Sequence, residues 1–251
     1  MRILWTTVLL ALIMISVPAN AADEPDGAAI LAMAREAAGG DDWANARTLQ
    51  LSGRAIFYGR ASHEPRSVAS DYRMWREFDA DRQIAHGADG KVRIIARDAE
   101  RLIFEVGYDG ETTWTERGIT PQKEADKFWA SNFGFGIIRQ ADKPGFTALR
   151  LADDTHAGHP LYMVELIDPS GGTTLFGIDQ KSGYIRTMGF RTPRGWHLRT
   201  YEDFVTLANP RWVQARHVTL YYDGRKSNEV FWTETLVNAP IDASLFTPPD
   251  E

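Results

Sequence analysis

The 251-residue sequence contains no cysteine, and this absence excludes several classes of protein. Such a chain has no disulfide framework, no thiol nucleophile, no cysteine-ligated metal and no cysteine that could carry a lipid anchor. It also lacks the G-x-S-x-G motif of serine hydrolases. The stability of the fold must therefore come from a buried core, for which about 230 residues suffice.

Long hydrophobic runs are also scarce, because the only one covers residues 3–17. Arg2 precedes this run, and small residues follow it up to Ala21. This order predicts a secretory signal peptide over residues 1–21 and a mature chain over 22–251. The alternative, an uncleaved anchor, is disfavoured because the run is shorter than the roughly 20 residues that cross a bilayer. The predicted location is the periplasm.

The sequence has no strong excess of positive charge. It contains 28 Lys and Arg against 34 Asp and Glu, for a net charge of −6. Arg2 is the only charged residue in 1–21, so without this segment 27 Lys and Arg remain against 34 Asp and Glu, for a net charge of −7. Both signs are spread along the chain, so nucleic acid is not an expected partner.

Two segments have helical periodicity. The first covers residues 27–38, with Asp26 at the N-cap position and two glycines at its end. The second covers residues 121–133, with Pro121 in its first turn and large aromatic residues at helical spacing. A short turn is predicted at 242–246.

Most of the remaining chain alternates between apolar and polar residues, which indicates β-strands. Asp-Gly pairs at 89–90, 109–110 and 223–224 separate neighbouring runs, as in antiparallel hairpins. A single flat sheet of eleven to thirteen strands would curl or split. We therefore predict one domain that forms either a sandwich or a partly closed barrel. The two predicted helices favour the barrel, because they would lie against the concave side of its sheet. After an initial run from residue 47, the predicted strands cover 68–78, 81–88, 91–98, 101–108, 111–117, 146–152, 160–168, 173–179, 184–190, 196–205, 212–222 and 228–237.

Several short phrases in this layout resemble the periplasmic lipoprotein-carrier superfamily of LolA-like and LolB-like proteins, which includes outer-membrane lipoprotein-sorting proteins. The phrases are LQLSG at 49–53, YDGETTW at 108–114, IDQKSG at 178–183, YEDF at 201–204 and IDASLFTP at 241–248. The resemblance implies a mainly β fold, an open antiparallel β-barrel of about eleven strands with capping helices. It also implies a non-catalytic carrier with an apolar cavity and no cofactor.

Aromatic and methionine residues on the strands and the second helix are the candidates to line such a cavity, because they suit acyl chains. The alternative is an ordinary packed core. The candidates are Phe104, Trp114, Phe128, Trp129, Phe133, Phe135, Met163, Phe176, Met188 and Trp232.

Charged residues supply two further hypotheses. Glu165 shares a strand face with apolar residues, so it is either a polar anchor inside the cavity or a residue on the outward face. The only concentrated positive patch is a hairpin that would dock on anionic headgroups or on an acidic partner, unless its arginines are simply solvated. Its arginines are Arg186, Arg191, Arg194 and Arg199.

The predicted function is that of a periplasmic carrier for a hydrophobic ligand, with a lipid or an acylated lipoprotein as partner. An inner- or outer-membrane protein is a further candidate partner. The alternative is an envelope signalling or assembly module that binds a protein. A metal-assisted hydrolase built on His156 and His159 is disfavoured, since the pair lies in a predicted turn without the spacing of a helical zinc motif.

Overall fold

The computed structural model describes residues 24–59, 64–132 and 135–249, so the predicted signal peptide lies outside the described residues. Three α-helices are present in this part: α1 (Gly27–Ala38), α2 (Asp41–Ala44) and α3 (Gln122–Asn132). Two 3₁₀ helices cover Phe135–Gln140 and Ala243–Phe246. The strands are β1 (Thr48–Tyr58), β2 (Pro65–Glu77), β3 (Lys91–Asp98), β4 (Arg101–Tyr108), β5 (Thr113–Thr115), β6 (Gly118–Ile119), β7 (Thr147–Arg150), β8 (Asp154–His156), β9 (His159–Ile167), β10 (Thr173–Asp179), β11 (Ile185–Thr192), β12 (Gly195–Ala208), β13 (Arg211–Tyr222) and β14 (Arg225–Val237).

Helix α1 has the bounds that its sequence predicts. The Asp26 carboxylate accepts a hydrogen bond from the amide of Ala29 at 2.8 Å, which satisfies a free N–H of the first turn. At the other end Gly39 has a φ of 137° and closes the helix through bonds to Arg35 and Glu36. The buried face, which includes Ile30 and Ala34, packs on β7, β9 and β13.

The fourteen strands form one antiparallel sheet that does not close into a barrel. The order is β6-β5-β4-β3-β2-β1-β14-β13-β12-β11-β10-β9-β7, with β8 paired to β9. The first and last strands in this order, β6 and β7, are not paired with each other. The predicted open antiparallel fold is confirmed, and the sheet exceeds the expected eleven strands partly because β5, β6 and β8 have only three, two and three residues.

The two faces of the sheet are built differently. One face carries the main apolar cluster, to which Val164, Phe176 and Met188 contribute fully buried side chains. Alternate residues of the same strands point away from it, and Met163 there lies against Gly177. The face with the main cluster is also the face on which the helices pack.

One predicted strand is wrong, because residues 81–88 form a loop. The Arg82 side chain donates to the carbonyls of Ile84 and Ala85, and the amide of Ala85 donates to the Asp168 carboxylate at 2.7 Å. Side chains thus satisfy backbone groups that a strand would use for pairing. Arg82 and Ala85 are buried in this loop, whereas Ile84 is exposed.

The pairing of β1 with β14 predicts a strong effect of a single methyl group at Gly53. A Cβ atom there would lie 2.1 Å from the carbonyl oxygen of Phe231, a contact that only a backbone shift could relieve. We expect Gly53→Ala to lower the free energy of unfolding by about 1–3 kcal/mol in urea titration. Ser52→Ala is the matched control, and an equal loss in both variants would contradict the steric account.

Candidate ligand-binding site

A cavity of about 410 Å³ lies on the core side of the sheet. Its wall combines residues of β1–β4 with residues of β12–β14, while α2, α3 and the 3₁₀ helix Phe135–Gln140 contribute from the other side. The size is within the range of small-molecule sites. Its apolar lining includes Leu51, Met74, Ile94, Phe104, Phe128 and Trp232.

The structure brings three of the ten predicted cavity residues to the lining, namely Phe104, Phe128 and Trp232. Phe133 and the side chain of Phe135 lie outside the described part of the chain. The five others are buried elsewhere: Trp114, Trp129, Met163, Phe176 and Met188.

Those five residues lie elsewhere in the structure. Trp114 covers Gly107 of the neighbouring strand, and Met163 points to the face opposite the main cluster. Trp129 donates from Nε1 to Oγ1 of Thr113 at 2.8 Å. Phe176 and Met188 have no exposed surface and fill the core beyond the cavity lining.

Glu165 is not among the cavity-lining residues. It is half-buried and shares the strand face of Met163, where it is opposite Leu149 and Leu175 in the register. The structure therefore places it on the outward side, and the hypothesis of a polar anchor inside the cavity is not supported by its position.

The four arginines of the predicted docking patch do not form one surface. Arg186 pairs with Asp179 at 3.1 Å, and Arg191 is exposed beside the ring of Trp196. Arg194 and Arg199 contribute to the cavity lining instead. Alternation along β11 sends Arg191 to the face opposite that of Arg186, and Arg194 lies in the turn between β11 and β12.

The C-terminal end of α3 is fixed to β12 and β13 through its carbonyl groups. His197 donates from Nδ1 to the Ser131 carbonyl at 2.9 Å, and the Tyr222 hydroxyl donates to the same oxygen at 2.7 Å. Arg199 donates to the Asn132 carbonyl at 2.6 Å. These carbonyls have no partners within the helix, so the strand side chains replace the missing bonds. Helix α3 therefore forms a fixed wall beside the cavity.

His197 is held in its neutral form. Its Nε2 accepts a hydrogen bond from Nε of Arg199 at 3.1 Å, and its ring stacks on Phe190 at 4.5 Å. Burial, together with the charge of Arg199, lowers the pKa of His197 to about 2. On the other face of Phe190, burial lowers the pKa of His86 to about 4.

One end of the cavity contains a cluster of buried charges. Oδ2 of Asp89 accepts from Arg76 at 2.5 Å and from Arg82 at 2.8 Å, and Oδ1 accepts from the amide of Asp79 at 3.2 Å. Burial alone raises the pKa of Asp89, but the two guanidiniums and this amide bring it below its ordinary value. Asp89 is thus ionised and neutralises part of the cluster.

Arg139, on the 3₁₀ helix, is the third arginine of this cluster and also lines the cavity. Its guanidinium lies 3.8 Å from the ring centre of Phe78, 5.1 Å from that of Trp212 and 5.2 Å from that of Trp43. Only 8% of the residue is exposed. Its Nε and Nη1 atoms find no hydrogen-bond partner among the described residues. Burial and the charge of Arg76 lower the pKa of Arg139 to about 9, so it is still charged at neutral pH.

Sequence reasoning did not identify Arg76 or Arg139 as site residues. A signal existed for Arg76, because it continues the inward alternation of Tyr72 and Met74 on β2. An arginine at an inward strand position requires a partner or a ligand. Arg139 had no such signal, since its segment shows no strand or α-helical period.

His156 and His159 lie in the hairpin between β8 and β9, and Nδ1 of His159 is 2.9 Å from the carboxylate of Asp179. Within the described ranges no three His, Asp or Glu residues are grouped as metal ligands. The described helices include none long and apolar enough to cross a membrane.

The open antiparallel sheet with helices on its core side defines a LolA-like fold, and solved structures share it. An outer membrane lipoprotein-sorting protein domain from Vibrio parahaemolyticus aligns with a TM-score of 0.50 at 12% identity, over 88% of this chain and 95% of that chain. A LolA superfamily protein from Nitrosomonas europaea gives 0.52 at 11% identity, over 89% and 98%. A DUF1329 family protein from Desulfovibrio piger gives 0.53 at 9% identity, over 89% and 98%.

These similarities confirm the resemblance at the level of fold, and at such identities they carry no information on activity. No protein-family model matches the sequence, and no curated protein matches it either.

Asp89 gives the first prediction for this site. Asp89→Asn leaves three buried arginines without their closest carboxylate, so we expect the free energy of unfolding to fall by about 3–5 kcal/mol. Asp98→Asn, which removes an exposed ion pair with Arg101, should change it by less than about 1 kcal/mol. Urea titration of both variants measures the difference, and similar values would contradict a structural role for the cluster.

His197 gives a prediction for pH dependence. Its folded pKa is about 2 and the ordinary value is 6.5, so the unfolded chain binds more protons between these limits. The stability that neutral His197 contributes should therefore be fully present above pH 6.5 and should be lost as the pH falls. The loss from this group is at most about 1.4 kcal/mol per pH unit.

The test compares urea unfolding of the wild type, His197→Asn and His156→Gln between pH 7 and pH 4. His197→Asn should be less stable at pH 7 but should lose less stability on acidification. His156→Gln, in a hairpin far from α3 in the chain, should follow the wild type. Equal slopes for the wild type and His197→Asn would exclude this group as the source.

Proposed function

We propose that the protein is a non-catalytic carrier or binding protein for a hydrophobic ligand, of the class of a lipid or a lipoprotein acyl chain. The observation that carries the proposal is the cavity of about 410 Å³ with aliphatic and aromatic lining on the core side of the sheet. A site of this kind retains an apolar ligand by burial, which needs no reacting group.

The sequence supports a periplasmic setting for this function. Residues 1–21 have the order of a cleavable signal peptide, and residues 22–251 would form the mature single-domain protein. A carrier in that compartment would shield acyl chains from water between two membranes. The similarity in fold to a LolA superfamily protein and to a lipoprotein-sorting domain is in agreement with this role.

Native mass spectrometry tests the proposal directly. Protein purified gently from a periplasmic extract should carry a stoichiometric adduct, and organic extraction followed by lipid analysis should identify it. An apo mass, together with no uptake of added dodecanol or dodecanoate in calorimetry, would reject the carrier function.

Two phenylalanines distinguish ligand binding from packing. Phe104 is half-buried in the cavity lining, whereas Phe176 is fully buried outside it. We expect Phe104→Ala to weaken dodecanol binding about tenfold, because part of the ligand loses its apolar contact. We expect Phe176→Ala to reduce the free energy of unfolding by about 3–5 kcal/mol.

Calorimetric titration and urea unfolding are measured on both variants under conditions where each is folded. A loss of binding in Phe104→Ala that only mirrors its loss of stability would favour an ordinary packed core over a ligand site.

A further inference from the structure

The cavity differs in charge from the protein that surrounds it. The chain carries a net charge of −6, yet the described lining contains five arginines and neither aspartate nor glutamate. An apolar ligand alone does not require this arrangement, because burying guanidiniums beside hydrocarbon costs free energy. The lining arginines are Arg66, Arg76, Arg139, Arg194 and Arg199.

The end of the cavity occupied by Arg76 and Arg139 has an excess of buried positive charge. Together with Arg82 they place three guanidiniums around one close carboxylate, that of Asp89. Asp79 and Asp168 also act on Arg82, but the carboxylate that acts on Arg139 is Asp89. No described acidic residue forms an ion pair with Arg139.

The surroundings of Arg139 leave its donors available. Phe78, Trp43 and Trp212 lie around the guanidinium and stabilise its charge through their rings. Ring faces do not replace in-plane acceptors, and Nε and Nη1 have no hydrogen-bond partner among the described residues. A buried, charged donor group without acceptors is costly, and a ligand oxygen would remove that cost.

We propose that this end of the cavity binds the anionic head of an amphiphilic ligand, a carboxylate or a phosphate monoester, with Arg139 as the principal donor. The inference rests on the proposed function, because the same cavity holds the apolar chain of that ligand. A carboxylate or phosphate oxygen accepts charge-assisted hydrogen bonds from a guanidinium and reduces the net positive charge of the cluster. The ligand class is thereby narrowed from hydrophobic molecules in general to single-headed anionic amphiphiles.

The test is isothermal titration calorimetry of delipidated protein with three probes that share a twelve-carbon chain: dodecanoate, dodecyl phosphate and dodecanol. We expect at least one anionic probe to bind the wild type about tenfold or more tightly than dodecanol. Comparison of the two anions identifies which head group the site takes.

The variant Arg139→Met keeps an unbranched, though shorter, apolar side chain and removes the charge and the donors. We expect it to bind dodecanol as the wild type does and to lose the preference for the anion. Its melting temperature should not fall, because an incompletely paired buried charge is replaced by an apolar group. Arg191→Met is the matched control: it removes an exposed arginine outside the cavity lining, one whose guanidinium lies 5.7 Å from the ring centre of Trp196, and should retain the preference.

Each outcome decides between the proposals. Tight binding of dodecanol with no preference for either anion would overturn the head-group site and leave the carrier function intact. No binding of any probe would overturn both. A preference that persists in Arg139→Met would assign it to other residues and reject Arg139. If Arg139→Met does not fold, Arg139→Gln, which keeps a polar donor without the charge, is read in the same way.

Discussion

The charged end of the cavity depends on the carboxylate of Asp89. This one group joins β2, through Arg76, to the loop after β2, through Arg82, and it accepts a further bond from the backbone at Asp79. The 3₁₀ helix is seated directly on the cluster, because a Cβ atom on Gly136 would lie 2.8 Å from Nη1 of Arg82 and 3.0 Å from Oδ2 of Asp89. The position of Arg139 three residues later follows from this close approach.

A second set of hydrogen bonds fixes helix α3, which forms another part of the cavity wall. The last carbonyls of α3 accept bonds from His197, Arg199 and Tyr222, while Trp129 of the helix is bonded to Thr113 near the sheet edge. Helix α3 thus connects one half of the sheet to the other. The wall that α3 contributes to the cavity is therefore held by hydrogen bonds to both halves of the sheet.

Local sequence patterns predicted the elements well where backbone geometry depends on neighbours in the chain. Helix α1 follows from Asp26, an alanine-rich run and two glycines, and the predicted Asp-Gly hairpin turns are present, with positive φ, at Gly110 and Gly224. The hairpin predicted at Asp89-Gly90 is wrong, because this pair ends the long loop between β2 and β3. The loop at 81–88 escaped prediction because a buried arginine there takes over the carbonyls that a strand would pair.

The cavity lining was harder to predict, since it depends on contacts between distant segments. Alternation shows that Phe176 and Phe104 are both apolar strand residues, but only the curvature of the sheet decides that one fills the core and the other faces a void. The charged end requires Arg76 on β2, Asp89 before β3 and Arg139 after α3 to meet, and no local pattern carries that information. Long-range packing therefore determines which side chains meet at the site, whereas local sequence patterns determine the helices and strands that surround it.

The open sheet also has a consequence for how the molecule behaves in a crowded solution. Unpaired strand edges can template the addition of another chain, and an open sheet has two of them. Here the outermost strands are β6, with two residues, and β7, with four, but β5 pairs only with residues 106–108 of β4, so residues 101–105 have no described strand on that side. The open sheet therefore keeps its terminal strands short, but part of β4 still offers backbone groups to which another chain could pair.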